Sequence, residues 1–284
     1  MPKVHLLSLV VSVYNEEESL NLFWQETEKY LRGLDVDYEV LFVNDGSNDG
    51  SLEVLKELSQ GDKNIKVINL SRNFGHEAAM IAGIDYSRGD AVICMDADLQ
   101  HPPSKIGEMV QLCRQGFEVV TAVRTLNEDA GIVKRVTSCL FYRALNVLSA
   151  VQFEPNASDF FLISRKVANV IRHGFLERTR FLRGFIQIVG FRRTSVAFTS
   201  ANRVAGETKY SLWKLFVFSV TAIVAFSNIP LRLGMLFGTL VGLMSITVGI
   251  YSIVMKAMGY VITGYTTIVV LITFLLSLIH ISEP

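Results

Sequence analysis

The chain has 284 residues, 27 basic and 27 acidic side chains and a formal net charge of zero, which argues against a nucleic-acid binder with its usual basic excess. Half of the residues are hydrophobic, but charge is unevenly spread: residues 1–210 hold 50 of the 54 charged side chains, and residues 211–284 only Lys214, Arg232, Lys256 and Glu283. The first part reads as a globular domain and the last as membrane, which argues against a wholly soluble enzyme, a disordered chain or a fibrous repeat.

The globular part alternates. Apolar runs at Leu6–Val13, Tyr38–Val43, Lys66–Leu70, Ala91–Met95 and Glu118–Val123 predict five strands. Helical spacing predicts helices over Glu17–Leu31, Ser51–Leu58, His76–Ser87 and Ser104–Arg114. Strands alternating with helices predict an α/β fold with a parallel sheet covered on both faces. The first run is too short for a secretory signal core and meets Glu16, Glu17 and Glu18 at once, so it reads as a buried strand. Three cysteines, Cys94, Cys113 and Cys139, have neither metal nor disulfide spacing and are expected to be reduced thiols in a cytoplasmic compartment.

Gly131–Ser149 is amphipathic, with Lys134, Arg135 and Arg143 among apolar positions. It reads as an interfacial helix (130–150) or as an ordinary surface helix of the domain. From Phe160 to Lys214 there are eleven Lys or Arg and two acids, either a solvated basic face or the positive flank of a membrane segment. Leu215–Ile229 ends at Pro230 and reads as a juxtamembrane helix, with a further span as the alternative. Leu233–Met255 is 23 uncharged residues, enough to cross a bilayer, which takes ~20. Tyr265–Ile281 is a second, shorter run after a glycine-containing link. The expected domains are therefore a cytoplasmic domain (1–211), a juxtamembrane helix (212–230) and a membrane domain with two crossings (231–284), the second incomplete in a truncated chain.

In parallel α/β sheets ligands sit beyond the carboxyl ends of the strands. The residues following the predicted strands are polar: Tyr14, Asn15 and Glu16; Asn44, Asp45, Gly46 and Ser47; Ser71, Arg72 and Asn73; Asp96 and Asp98; Arg124. Each alone could be turn chemistry, but so many at one rim point to a site. Asp96-Ala97-Asp98 is the sharpest short signal. Two carboxylates one residue apart can hold a hard divalent cation and leave positions for substrate phosphates. A surface turn is the plain alternative. His5, His76, His101, His173 and His280 lack metal-ligand spacing, and His76 reads as a helix cap or site-edge residue.

Five stretches together resemble the inverting family 2 glycosyltransferases: Ser12–Glu16, Asn44–Ser47, Arg72–Gly75, Asp96–Pro103 and Ser158–Arg165. Within these, the chain is similar to the polyprenyl-phosphate type, dolichyl-phosphate mannose synthases and bactoprenol glucosyltransferases. Gly206–Ser211 and Pro230–Arg232 extend the match to the membrane border. Ser12 stands where the family usually has proline, Asn44 where it often has aspartate, and His101 replaces a frequent acid.

The resemblance implies a glycosyltransferase A (Rossmann-like) catalytic domain followed by interfacial and transmembrane helices, a nucleotide-sugar donor and a divalent cation, Mg2+ or Mn2+. It implies nucleotide-sugar contacts for Tyr14, Asn15, Glu16, Asp45, Asp96, Asp98 and Arg124. It implies metal ligation by Asp96 and Asp98, and catalytic roles for Asp98, for Gln100 beside them and for Asp159, the last as catalytic or acceptor-site acid. Arg124, Lys134, Arg135, Ser138, Arg203 and Lys209 match positions that serve the lipid phosphate and the donor diphosphate. The expected reaction moves a sugar, first choice glucose from UDP-glucose, onto undecaprenyl or another polyprenyl phosphate with inversion, giving a lipid-linked sugar for cell-envelope glycans. Other UDP-sugars and GDP-mannose stay open. A phosphate monoester is mostly ionised at neutral pH, its second pKa lying near ~6, so Asp159 is expected to orient or balance charge at least as much as to take a proton. The expected location is the bacterial inner membrane, multi-pass, with a homo-oligomer compatible with the family.

Rival readings are weaker. A processive polysaccharide synthase usually carries Gln-x-x-Arg-Trp, whereas Gln187–Phe191 lacks both Arg and Trp. A membrane-anchored, non-catalytic binding protein would not need Asp96, Asp98 and Asp159 together. No Gly-x-Gly-x-x-Gly follows the first strand, and no phosphate-loop motif occurs.

Overall fold

The computed structural model describes residues 4–125, 157–174, 182–199 and 229–260, together with 268, 271 and 272. β1 (Leu6–Val13), β2 (Asp37–Asn44), β3 (Ile65–Asn69), β4 (Ala91–Asp96) and β5 (Val119–Arg124) fall within one or two residues of the predicted strands. α1 (Glu17–Arg32), α2 (Ser51–Gly61), α3 (His76–Tyr86) and α4 (Ile106–Arg114), the last entered through a 3-10 turn at Pro103–Lys105, match the predicted helices. Beyond them lie β6 (Ala157–Ser164), α5 (Arg165–Gly174), α6 (Leu182–Ile188), β7 (Arg193–Phe198) and α7 (Ile229–Ala257).

The strands form one seven-stranded sheet in the order β3-β2-β1-β4-β6-β5-β7. β1 pairs in parallel with β2 and β4, β2 with β3, and β5 with β7. β6 pairs antiparallel with both β4 and β5. The expectation of a parallel sheet is thus corrected to a mixed one. The connection from β5 returns the chain from the rim where β5 ends, so β6 starts at that rim and runs back.

The apolar runs are buried on both faces, which is why they read as continuous rather than alternating. Leu9, Val11, Phe42 and Ile93 pack under Leu20, Phe23, Leu55, Ile106 and Met109 of α1, α2 and α4. Val10, Leu41, Val92 and Cys94 pack under Met80, Ile84, Val167, Ile171 and Ile186 of α3, α5 and α6. Each such fully buried side chain contributes roughly 1.5–3 kcal/mol. α3 sits close on β1: a Cβ on Gly83 would lie 2.2 Å from Val10 Cγ1. Cys94 and Cys113 are free and buried. Burial raises both thiols, Cys113 to about 11.

The basic stretch after Phe160 is partly spent inside the fold. Arg165 donates to Gly89 O and to the Ser87 hydroxyl, and Arg172 Nη2 donates to Ile84 O at 2.7 Å. Both guanidiniums therefore lie at the carboxyl end of α3, where the helix dipole favours positive charge.

β1 to β7 with α1 to α6 fall in one compact unit and α7 in another. Within α7, Arg232–Ala257 is a 26-residue segment long and apolar enough to cross a membrane. Its Leu233, Leu236, Phe237, Ile246 and Ile250 are exposed, the reverse of the first unit's core. The expected interfacial helix (130–150), juxtamembrane helix (212–230) and most of the second span (Tyr265–Ile281) lie outside the described residues.

Candidate active site

The strand order reverses between β1 and β4, because β2 and β3 lie on one side and β6, β5 and β7 on the other. Such a switch point opens a crevice at the carboxyl ends of the two strands. Ser12 of β1 is the register partner of Asp96 of β4, and the Ser12 hydroxyl lies 3.2 Å from Asp96 Oδ1.

The reversed strand brings in the third carboxylate. β6 pairs Phe161 with Cys94, so Asp96 and Asp159, each two residues further, both lie just beyond the end of that ladder. On its other side β6 is irregular. Thr121 pairs with Phe161 and Val123 with Ala157, so four steps along β6 are taken up against two along β5. Ser158 spans the irregularity by donating to Ala122 O at 2.8 Å. Bulges of this kind re-aim a side chain next to a site, and Asp159 lies inside this one.

His76, the first residue of α3, joins the group. Its Nδ1 is 2.8 Å from Ser12 Oγ and 3.3 Å from Asp96 Oδ1, and its Nε2 is 3.6 Å from Asp159 Oδ2. His101 supports the group from below. Its Nδ1 accepts the Asp96 backbone N–H at 3.1 Å, so Nε2 carries the ring's proton. The ring stacks on Phe160 with centroids 5.4 Å apart and meets Phe198 edge-on. Burial lowers the His101 pKa, against the opposing pull of Asp96, Asp98 and Asp159.

Asp98 Oδ1 accepts the Gln100 N–H at 3.0 Å, closing the turn in which Leu99 takes φ 60°. Gln100 Oε1 accepts from Arg124 Nη2 at 3.0 Å. The structure therefore brings Asp96, Asp98, Gln100, Arg124 and Asp159 to one end of the crevice.

The ends of β1 and β2 form the adjoining rim. Asn15, at φ 54°, receives a hydrogen bond from Asn48 N on its side-chain oxygen, and its own N–H donates to Ser47 Oγ. Glu16 accepts from the Ser19 hydroxyl at 2.7 Å. Tyr14 is exposed. Asp45 is only 2% exposed, and its two oxygens accept the N–H groups of Phe74 and Gly75 at 2.7 and 2.9 Å. That contact fixes the loop leading into α3 and hence His76. Gly46 permits it: a Cβ there would lie 2.4 Å from the Arg72 carbonyl carbon, at φ +66°. Lys134, Arg135, Ser138, Arg203 and Lys209 lie outside the described residues.

Sequence reasoning reached the acids but underrated two histidines. His76 is a site-edge residue, as one of its two readings had it. The signal for His101 was its place five residues after Asp96, inside the motif itself. Among the described residues there is no group of three or more His, Cys, Asp or Glu with metal-binding geometry. Asp96 and Asp98 offer the oxygen donors that a hard divalent cation takes when substrate phosphates complete its shell.

A mixed sheet in this order, with acids where β4 ends and β6 begins, is a glycosyltransferase A fold. The sequence profile described as Glycosyl transferase family 2 matches residues 8–172, and the chain belongs to that family and is a glycosyltransferase. An uncharacterized glycosyltransferase of Synechocystis is 40% identical over 270 residues, covering 95% of this chain and 85% of the relative. The bactoprenol glucosyl transferase of Shigella phage SfV is 35% identical, covering 95% of this chain and 88% of the phage protein. Among solved structures, mannosyl-3-phosphoglycerate synthase from Rubrobacter xylanophilus is 18% identical with TM-score 0.51, covering 78% of this chain and 73% of that one. Glucosyl-3-phosphoglycerate synthase from Mycobacterium tuberculosis, solved with Mn2+, UDP-glucose and phosphoglyceric acid, is 18% identical with TM-score 0.50, covering 77% of each chain. At these identities the structures share the fold.

Proposed function

We propose that this glycosyltransferase moves glucose from UDP-glucose to the phosphate of undecaprenyl or another polyprenyl phosphate, with inversion at the anomeric carbon. The observation that carries the reading is the convergence of Asp96 and Asp159 on His76, at 3.3 and 3.6 Å, in a chain whose relatives include proteins named bactoprenol glucosyl transferase over 95% of its length.

The chemistry needs little base catalysis. The acceptor oxygen is already ionised. It forms a bond to the anomeric carbon as the bond from that carbon to the nucleoside diphosphate breaks. The larger barrier is charge, since two phosphate-bearing substrates meet and a diphosphate leaves. Asp96 and Asp98 would hold a divalent cation, Mg2+ or Mn2+, whose contribution is to neutralise the leaving diphosphate. Arg124, positioned through Gln100, carries positive charge to the same end of the crevice. Asp159 orients the acceptor and balances charge there. Tyr14, Asn15, Glu16 and Asp45 serve the nucleoside; a carboxylate has about four lone-pair sites, so Asp45 keeps acceptor capacity beyond its two backbone contacts. Lys134, Arg135, Ser138, Arg203 and Lys209 are the proposed partners of the lipid phosphate and diphosphate. α7 and Tyr265–Ile281 make two crossings of a bacterial inner membrane, with the catalytic unit on the cytoplasmic side. The processive alternative is not favoured, since Gln187–Phe191 lacks its motif.

The test incubates membranes carrying the protein with undecaprenyl phosphate and a panel of nucleotide sugars, with and without EDTA. Lipid-linked glucose formed from UDP-glucose and abolished by chelation is expected. Product from another donor would correct the sugar, and no lipid-linked product from any donor would refute the reading.

A further inference from the structure

His76 stands between two carboxylates that have different tasks in the proposed reaction. One ring nitrogen faces the Ser12 hydroxyl and Asp96, and the other faces Asp159. Its placement is over-determined. Gly75 takes φ +100°, Asp45 clamps the Phe74 and Gly75 N–H groups, and Gly83 lets α3 seat on Val10. Nε2 is shielded from solvent and, among the described residues, makes no hydrogen bond within standard limits. A buried ring nitrogen without a partner is uncommon, so its geometry invites an explanation.

The Ser12 hydroxyl lies 2.8 Å from His76 Nδ1, as donor or acceptor according to the ring's tautomer, and 3.2 Å from Asp96 Oδ1. When it donates to Nδ1, the ring proton sits on Nε2 and points at Asp159 Oδ2. The separation of 3.6 Å exceeds a good hydrogen bond, but contacts at reacting centres tighten when substrates bind. Ser12 is also where this chain departs from the family's proline, which has no hydroxyl to donate.

We propose that His76 is a positioning residue for sugar transfer, its Nε2–H holding the Asp159 carboxylate toward the reacting centre while Ser12 fixes the ring's tautomer. The inference rests on the assignment of Asp159 to the acceptor site. A misplacement of about an ångström at a reacting centre costs about a hundredfold in rate.

The experiment uses the full chain in membranes, with undecaprenyl phosphate and the donor that supports the fastest transfer. His76→Ala is expected to lower kcat about a hundredfold, with KM for donor and lipid within threefold of the parent and an unchanged melting temperature. His76→Gln, which restores an N–H at a similar reach, is expected to recover at least a third of the lost rate on a logarithmic scale. Adding His76→Ala to Asp159→Asn should cost less than threefold more, because the two residues act as a unit. Loss of kcat below threefold, full additivity with Asp159→Asn, no recovery by His76→Gln, or a loss that tracks the folded fraction would each overturn the proposal. A parent enzyme that makes no lipid-linked sugar would overturn the functional reading and this inference together; an active parent unaffected by His76→Ala would overturn the inference alone.

Discussion

Asp96 has three neighbours in place before any substrate arrives: its backbone N–H donates to His101, and Oδ1 lies 3.2 Å from the Ser12 hydroxyl and 3.3 Å from His76 Nδ1. A preorganised acid of this kind loses nothing to reorganisation during the reaction. Asp159 is tested by pH. Asp159→Asn should slow transfer about a hundredfold, by the same factor from pH 6 to 9. A ratio of parent to variant that climbs tenfold per pH unit within that range would mark Asp159 as a titrating base and contradict its charge-balancing role. The acids were legible because each ends or begins an apolar run. His101 was not, because its burial depends on Phe160 and Phe198, which are about 60 and 100 positions away in sequence. Nor was the Ser12–His76 contact, which needs α3 to lie over the end of β1.

Elements β1, β2, β4 and β5 could be read from largely buried apolar runs flanked by turn residues, and β3, only partly buried, from its short apolar stretch. The direction of β6 could not, since Ser158–Ser164 carries no local mark of which neighbour it will meet. β7 alternates weakly at the sheet's edge and was read only as part of a basic stretch. Two contacts test how the elements are fixed. Gly46→Ala would press a Cβ against the Arg72 backbone at a left-handed φ, so a loss of about 2–3 kcal/mol of stability is expected, with donor binding weakened as the 72–75 loop shifts. A stable variant with unchanged donor affinity would contradict the tight loop crossing. Glu39 pins β1, β2, β3 and the turn before β4, accepting from the Ser8 hydroxyl at 2.6 Å, Lys66 Nζ at 2.6 Å and Arg88 N at 2.7 Å. Burial pushes its pKa up, but Lys66, Ser8 and the Arg88 N–H together hold it below its ordinary value of 4.5. A depressed carboxylate stabilises the fold above its unfolded pKa and loses that contribution as pH falls through the folded value. Glu39→Gln should therefore cost about 2 kcal/mol at pH 7, and the gap to the parent should close below pH ~4.5. A gap that persists or widens toward pH 3 would contradict the ion-paired reading.

At the scale of the whole molecule the sequence announced its division through charge: 50 of 54 charged residues precede residue 211, and the described apolar helix lies beyond it. The split makes sense for a reaction between a water-soluble donor and an acceptor whose isoprenoid tail stays in the bilayer. Hydropathy marks the apolar end as a candidate span because lipid contact favours unbroken apolar surface, but it carries no information on which sugar enters the crevice. The most direct measurement compares initial rates of lipid-linked sugar formation by the parent chain and by a variant with Asp96→Ala and Asp98→Ala, at saturating donor, polyprenyl phosphate and divalent cation. The account expects the variant to fall at least about a thousandfold while remaining folded and membrane-bound. Transfer at the parent's rate would contradict it.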